Sequence, residues 1–345
     1  MHPPKGVLSI SCPHLTQTLR VLRNLDQVVY ALDKAGLVQP GLGKLTGRVK
    51  AFPKTHESRR RCMWPGCSGR PVDSHVISKC FLGALAPDGR KLRSPSNPEV
   101  FVMQAKARRI GLEAPKNAST FRGFCGIHDT KEFASFENAR RMRSKDDFRR
   151  QLIRTVSLEH QNREDLIHFL ELVRHKKSGV GSLSAALGLE GMLGKTRKHF
   201  ALLDRMLTDL HTDLAGVEEE IHIYHQVVRP GLEVALSYVD FFPIVGVPGE
   251  TEVPIALAII PQWDQGFTSL GSSLLLVASP RADAVAGYVQ RYLTPPTQAL
   301  ATTAKWLTDG CFSWWACQEW WDGLPPNTRE AVEDRLVRFG HTHPS

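Results

Sequence analysis

Cys62-Met63-Trp64-Pro65-Gly66-Cys67 contains two possible metal ligands, and Cys125-Gly126-Ile127-His128 supplies two more after a gap of 57 residues. Pro65 and Gly66 favour a tight turn, which lets both thiolates of the first stretch face one point. Three thiolates and one imidazole are the donors of a closed tetrahedral Zn²⁺ site. We therefore predict that one structural zinc ion is bound by Cys62, Cys67, Cys125 and His128.

A further histidine follows the first pair of ligands, at the end of Pro71-Val72-Asp73-Ser74-His75. The β-branched run around it predicts a strand over residues 71–78. The zinc ion already has four donors, so His75 is available for chemistry. The alternative is that His75 only forms a hydrogen bond that stabilises the strand pair.

Composition indicates a globular protein. The chain has 345 residues, 42% of them hydrophobic, which predicts two or three domains. Seven cysteines are an odd number, and three of them are predicted ligands, so a reducing compartment fits better than a disulfide framework. The longest apolar run, Val253 to Pro261, is far shorter than the ~20 residues of a membrane span, and no signal-peptide pattern opens the chain. We expect a cytoplasmic protein that does not cross a membrane.

Positive charge is concentrated in the half that carries the predicted zinc site. Residues 1–150 contain 28 Lys and Arg against 12 Asp and Glu, a balance of +16 within an overall net charge of +9. Basic clusters around one site are typical of proteins that bind nucleic acid, although any single cluster can equally be solvated surface charge. The predicted phosphate-binding residues are Arg59, Arg60, Arg61, Lys79, Arg108 and Arg109.

Four segments of an α+β protein follow from the periodicity of apolar residues. Residues 1–57 carry a predicted docking helix, and residues 58–145 form the zinc module. Residues 146–230 are predicted to be helical, and residues 231–345 form an α+β domain. Within the zinc module we expect a second strand near 99–104 and a helix from about His128. Strand, strand and helix with ligand pairs at both ends is the order of a treble-clef module.

A heptad pattern runs through residues 200–224, with apolar side chains at alternating steps of three and four. It predicts either an antiparallel hairpin with the preceding helix, or a coiled coil with a second copy of the chain or with another protein. In the last segment, aromatic residues are crowded together, and they form either a buried core or a surface that stacks on bases. These residues are Trp306, Trp314, Trp315, Trp320 and Trp321.

The chain resembles the zinc-containing HNH (ββα-metal) endonucleases, and most of all an uncharacterised bacterial branch of them. The residues that carry this resemblance are the predicted zinc ligands, Ser74-His75 and Phe124-Cys125-x2-His128-Asp129. The resemblance covers about 80 of the 345 residues. His75 corresponds to the first histidine of the family pattern, and Asn117 is the nearest candidate for its middle asparagine. In this chain His128 stands in place of the final cysteine ligand, and Asp129 stands in place of the catalytic histidine that follows it.

The resemblance implies a hydrolase of phosphodiester bonds that acts on DNA in bacterial defence against phage. His75 is suited to be the general base because a neutral imidazole accepts a proton near neutral pH. Asp129 offers oxygen, which Mg²⁺ or Mn²⁺ prefers as a ligand. The alternative is a non-catalytic zinc-binding module that binds nucleic acid or a protein partner, with Asp129 an ordinary residue of a helix N-terminus.

Overall fold

The computed structural model describes residues 60–95, 110–174, 189–244, 252–293 and 313–338, and they form a mixed α and β fold. The strands are β1 Ser74–His75, β2 Leu92–Pro95, β3 Ile110–Glu113, β4 Thr120–Phe121, β5 His222–Val228, β6 Val234–Pro243, β7 Glu252–Trp263, β8 Leu270–Ser279 and β9 Trp314–Cys317. The helices are α1 Lys79–Leu85, α2 Gly126–Lys131, α3 Ala134–Ala139, α4 Lys145–Arg174, α5 Leu189–Leu214, α6 Ala282–Tyr292, α7 Gln318–Gly323 and α8 Pro326–Arg338.

A seven-stranded sheet in the order β3-β2-β9-β6-β7-β8-β5 forms the centre of the molecule, and all its neighbours are antiparallel. Ala256, Ala258 and Ile260 of β7 point into one hydrophobic core, whereas the residues between them point into the other. The period of two along a strand produces this alternation. A strand that is buried on both faces needs an apolar residue at every position, which explains the long apolar run of this segment.

The two faces of the sheet carry different partners. The first core joins the sheet to α4, α5 and the zinc-ligand region, which we define as the residues around the four predicted ligands, 60–91 and 114–144, including α1. The second core joins the other face to α6, α7 and α8. None of the helices in the described part of the chain combines the length and the apolarity that crossing a membrane requires.

Helix α4 contacts several parts of the fold. It packs along α5. On one side the Ser237 hydroxyl of β6 donates to the Thr155 hydroxyl at 3.0 Å, and on another the Gln151 amide donates to the Val76 carbonyl at 2.8 Å. Consequently α4 connects the sheet to the segment that carries the predicted zinc ligands.

Two predictions about the helical region have different outcomes. The predicted helices are present as α4 and α5, and they pack against each other. The heptad interpretation is wrong beyond Leu214, where α5 ends, because Gly216 at a φ of +72° terminates it in the left-handed conformation and Tyr224 belongs to strand β5. Leu203 and Leu210 are fully buried in the first core of this chain.

The zinc-ligand region also differs in detail from its prediction. The predicted strand over 71–78 is only two residues long, and α1 begins at Lys79. Its partner is β4, where Ser74 pairs with Phe121 and His75 with Thr120. The expected strand at 99–104 and the helix expected within residues 1–57 lie outside the described residues.

The predicted segment boundaries cross the central sheet. Strands β2 and β3 lie between residues 58 and 145, yet β2 pairs with β9, which lies between 231 and 345. Three of the clustered tryptophans, Trp314, Trp315 and Trp321, are buried, and Trp320 packs against the second core, so the interpretation as a core is confirmed for these residues. Trp306 lies outside the described residues.

Candidate metal centre and adjoining polar cluster

The four predicted zinc ligands meet at one point. One donor atom from each of Cys62, Cys67, Cys125 and His128 lies within 4.8 Å of every other. Cys62 and Cys67 flank the turn that contains Gly66 at a φ of +72°, whereas Cys125 and His128 lie at the start of α2. The prediction that these residues form one cluster is confirmed.

The distances between the donors match a tetrahedral zinc site. The sulfur atoms of Cys67 and Cys125 are 3.9 Å apart, and His128 Nδ1 lies 3.4 Å from the sulfur of Cys62 and 3.3 Å from that of Cys125. Bond lengths of about 2.3 Å for sulfur and about 2.0 Å for nitrogen give tetrahedral edges of roughly 3.8 Å and roughly 3.5 Å. These three distances are close to the edges of a tetrahedral Zn²⁺ site.

Backbone groups hold the sulfur atoms in place. The Cys125 N–H donates to the sulfur of Cys62 at 3.2 Å, and the Gly69 N–H donates to the sulfur of Cys67 at 3.4 Å. A Cβ atom at Gly69 would lie 3.1 Å from the Cβ of Cys125 and 3.3 Å from the sulfur of Cys67. Glycine at this position therefore allows the chain to pass close to the cluster.

The surroundings of the cluster favour the thiolate form of Cys125. A backbone hydrogen bond from His128 at the start of α2 is the largest influence lowering the pKa of Cys125, to about 7, whereas burial raises the pKa of Cys62 to about 11. A thiolate is the form of cysteine that binds metal, and helix N-termini favour it. Trp64 stacks on the His128 ring with centroids 5.4 Å apart, which fixes the plane of the imidazole.

His75 lies in β1, outside the zinc set. Its Nε2 is 3.1 Å from the carbonyl oxygen of Lys116, an atom that can only accept a hydrogen bond. The proton is therefore on Nε2, and Nδ1 has a free lone pair. Burial lowers the pKa of His75, and the charge of Arg154 also lowers it, whereas the hydrogen bond to the Lys116 carbonyl and the charges of Asp129 and Glu137 raise it and offset part of the change.

Asp129 belongs to a polar cluster that the sequence analysis did not anticipate. The guanidinium of Arg154 donates to Asp129 Oδ1 at 3.3 Å and to Glu137 Oε1 at 2.6 Å. The Arg154 side chain is 1% exposed, against 22% and 26% for the two carboxylates. It also lies over the ring of Phe133, 3.7 Å from the centroid. One buried cation thus holds two partly exposed carboxylates side by side.

Glu137 and Arg154 are the site residues that sequence reasoning missed. In the sequence both belong to charged stretches that are typical of solvated helix faces. Arg154 lies off the apolar positions of α4 at Phe148, Leu152 and Val156, but α4 is buried on more than one side, so Arg154 is enclosed. A charged residue next to apolar positions, on a helix that packs against several elements, is the pattern from which the burial of Arg154 could have been predicted.

Asn117 lies in the turn before β4, beside the carbonyl that binds His75. Its side chain is exposed, and its backbone N–H donates to the Ala114 carbonyl at 2.9 Å. The turn as a whole contacts His75 through Lys116. Asn117 therefore lies next to the predicted site, and the backbone contact to His75 is made by its neighbour Lys116.

The predicted phosphate-binding residues have different surroundings. Arg60 is not available as a free phosphate ligand, because its guanidinium is bound to both carboxylate oxygens of Asp165, at 2.6 and 2.5 Å, and its side chain is 12% exposed. Arg61 and Lys79 are exposed. Arg59, Arg108 and Arg109 lie outside the described residues.

A cavity of about 1350 Å³ lies between the first pair of zinc ligands and helices α4 and α5. Its walls include Arg60, Arg61, Trp64 and His211. Burial lowers the pKa of His211 to about 4, so this ring is neutral. Among the described residues, the predicted phosphate-binding residues Arg60 and Arg61 line this cavity, whereas the predicted catalytic residues His75 and Asp129 do not.

Comparisons with protein-family models, with curated proteins and with solved structures find no match to this chain.

Proposed function

We propose that this chain is a metal-dependent endonuclease that hydrolyses phosphodiester bonds of nucleic acid, with DNA as the expected polymer. The observation that carries the proposal is the placement of His75 and Asp129. β1 pairs with β4 just before the second pair of zinc ligands, and Asp129 directly follows His128 on α2. The charge of Asp129 acts on the His75 imidazole, so both belong to one electrostatic environment.

His75 acts as the general base. Its Nδ1 takes a proton from a water molecule while the water oxygen forms a bond to phosphorus. The bond from phosphorus to the leaving oxygen breaks, and this oxygen is then protonated by solvent. Since burial lowers the pKa of His75, the imidazole is unprotonated at neutral pH and ready to accept the proton.

Asp129 and Glu137 are the residues that would hold Mg²⁺ or Mn²⁺. Each has one oxygen bound by Arg154 and a second oxygen left for a ligand, and Mg²⁺ typically uses one or two carboxylates together with water. Two carboxylates and one guanidinium leave a net charge of −1 beside a neutral imidazole. When bound, such an ion would offset negative charge on the phosphate and on the leaving oxygen.

The zinc ion has a structural role in this proposal. Three cysteines and one histidine would fill all four positions of a tetrahedral zinc ion, whereas a catalytic zinc ion keeps one position open. A zinc ion held by these residues would join the Cys62–Cys67 turn to the start of α2 and so would fix Asp129 relative to β1. This arrangement is the one expected of a treble-clef module, and bacterial defence against foreign DNA is the setting that the resemblance to HNH endonucleases implies.

One observation favours a second candidate, a non-catalytic zinc-binding module that binds nucleic acid or a protein. Arg154 connects α2, α3 and α4 through Asp129 and Glu137, and a purely structural clamp would have the same contacts. In that case the carboxylates serve stability, and no ion is needed between them.

Plasmid cleavage tests the two candidates. Supercoiled plasmid is incubated with the zinc-loaded protein and Mg²⁺ or Mn²⁺, and His75→Ala is compared with the exposed control His222→Ala. We expect His75→Ala to lower the rate by ~10²–10⁴ while zinc content and thermal unfolding stay unchanged, and His222→Ala to behave like the wild type. A zinc-loaded wild type that cleaves neither DNA nor RNA with either ion would leave the binding module in place of the enzyme.

A further inference from the structure

Three described residues other than glycine, Ser119, Arg140 and Phe267, have a backbone conformation that normally favours glycine, and two of them carry large side chains. Arg140 has a φ of +48° at the end of α3, and Phe267 has a φ of +54° in the turn between β7 and β8. Glycine is the usual residue at such positions because a side chain strains the left-handed conformation. An arginine and a large aromatic residue at these positions therefore need a reason beyond local backbone preference.

The side chains of these two residues meet. The guanidinium of Arg140 lies 5.4 Å from the ring centroid of Phe267 and 5.3 Å from that of Trp263. Phe267 is 47% exposed, so one large ring is held in solvent beside a cation. We call Arg140, Trp263 and Phe267 the aromatic–arginine patch.

Trp263 anchors the patch to α1. Its indole N–H donates to the Cys80 carbonyl at 2.6 Å. A Cβ atom at Gly83 would lie 3.2 Å from the Trp263 ring, so the absence of a side chain there allows the ring to lie against α1. The position of Trp263 is consequently fixed rather than adaptable.

The patch borders the proposed catalytic site. Arg140 follows Glu137 by three residues, and its backbone N–H donates to the Glu137 carbonyl at 3.2 Å. The charges of Glu137, Arg154 and Arg140 all act on Cys80, the residue whose carbonyl holds Trp263. Lys79, which is exposed, precedes Cys80 at the start of α1. Positive charge and aromatic surface thus continue outward from the carboxylates.

We infer that the aromatic–arginine patch stacks on an unpaired base of single-stranded nucleic acid beside the phosphodiester bond to be cleaved, an inference that rests on the proposed function. Aromatic rings and guanidinium planes stack on bases of any sequence, and Arg140 adds charge that complements phosphate. The acidic residue of the same turn, Asp264, already accepts hydrogen bonds from Thr268 and Ser269. Binding should therefore depend weakly on base identity.

Binding by the full-length chain without added divalent ions tests this inference separately from cleavage. The probes are a fluorescein-labelled 20-mer of thymidine, an abasic strand of equal length and a duplex of equal length, measured by fluorescence anisotropy. The variants are Phe267→Gly and Arg140→Gly, which relieve backbone strain and so should unfold at the same or a higher temperature than the wild type. Phe267→Trp serves as the conservative replacement, and Val227→Ala removes an exposed apolar residue elsewhere.

We expect Phe267→Gly to bind the thymidine strand about 5- to 150-fold more weakly than the wild type and the abasic strand equally well, since only stacking is lost. Phe267→Trp and Val227→Ala should retain wild-type binding. Equal affinity of the wild type for the thymidine and abasic strands, preference for the duplex, or no binding at all would overturn the inference. If the wild type cleaves nucleic acid but Phe267→Gly binds the thymidine strand as tightly as the wild type, the patch is refuted and the nuclease is not. If Phe267→Gly binds the thymidine strand more weakly but the wild type cleaves nothing, the nuclease is refuted and the patch is not.

Discussion

Replacement of one zinc ligand should weaken metal binding far more than replacement of a cysteine outside the cluster. We compare Cys67→Ser with Cys80→Ser, since both residues are free and partly buried, and only Cys67 has its sulfur within 3.9 Å of a second ligand. Structural zinc sites contribute ~10–16 kcal/mol, so one of four ligands accounts for roughly 2.5–4 kcal/mol. The expected loss of zinc affinity is therefore about 70- to 1000-fold for Cys67→Ser.

The assay has two parts. Elemental analysis of the purified wild type should give one zinc per chain, and competition with a chromophoric chelator should give the affinity of each variant. Because the first core continues from Cys62 and Cys125 into α4, α5 and the sheet, we expect most of the far-ultraviolet circular dichroism to survive zinc removal. Absence of zinc from wild-type protein expressed in zinc-supplemented medium, or equal affinities of Cys67→Ser and Cys80→Ser, would refute this reasoning.

Three other predictions concern the polar cluster and the close approach of the chain to the zinc ligands. Arg154→Met should lower the free energy of unfolding by about 3 kcal/mol in urea, because it leaves two carboxylates without their cation. Arg150→Met, at a residue of the same helix that forms no ion pair with another described residue, should cost less than about 1 kcal/mol, and equal effects of the two substitutions would contradict the cluster. The acid limb of the pH–rate profile of cleavage should lie below pH 6.5, because burial lowers the pKa of His75 and its base form persists to lower pH; a limb above pH 6.5 would exclude this assignment. Gly69→Ala should reduce zinc occupancy since the added Cβ would lie 3.1 Å from a ligand, while Gly191→Ala, which meets open space on α5, should leave occupancy unchanged when both are measured by elemental analysis.

The zinc ligands could be predicted from the sequence because their chemistry is local. Cysteine pairs around a Pro-Gly turn and a Cys-x2-His pair restrict the geometry within a few residues. The continuous apolar run of β7 is a local signal of the same kind, because it is typical of a strand that is buried on both faces. Such signals need no knowledge of how distant segments pack.

The remainder of the site depends on tertiary packing. Arg154 lies 17 residues from Glu137 and 25 from Asp129 in the sequence, and no local pattern relates these three residues. The same limit applies to the heptad interpretation of residues 217–224, where an apolar spacing continued past the glycine that ends α5. Arg60 looked like a phosphate ligand for a similar reason, because its partner Asp165 is 105 residues away.

The position of β2 has a consequence for any attempt to transplant the zinc-ligand region. β2 pairs with β3 on one side and with β9 on the other, and β9 comes from the far end of the described chain. A fragment that ends at residue 145 would expose the backbone edge of β2 to water, and exposed strand edges promote aggregation between chains. The shortened protein should therefore precipitate or assemble into multimers, and exchange of this region between proteins would require β9 to be inherited with it.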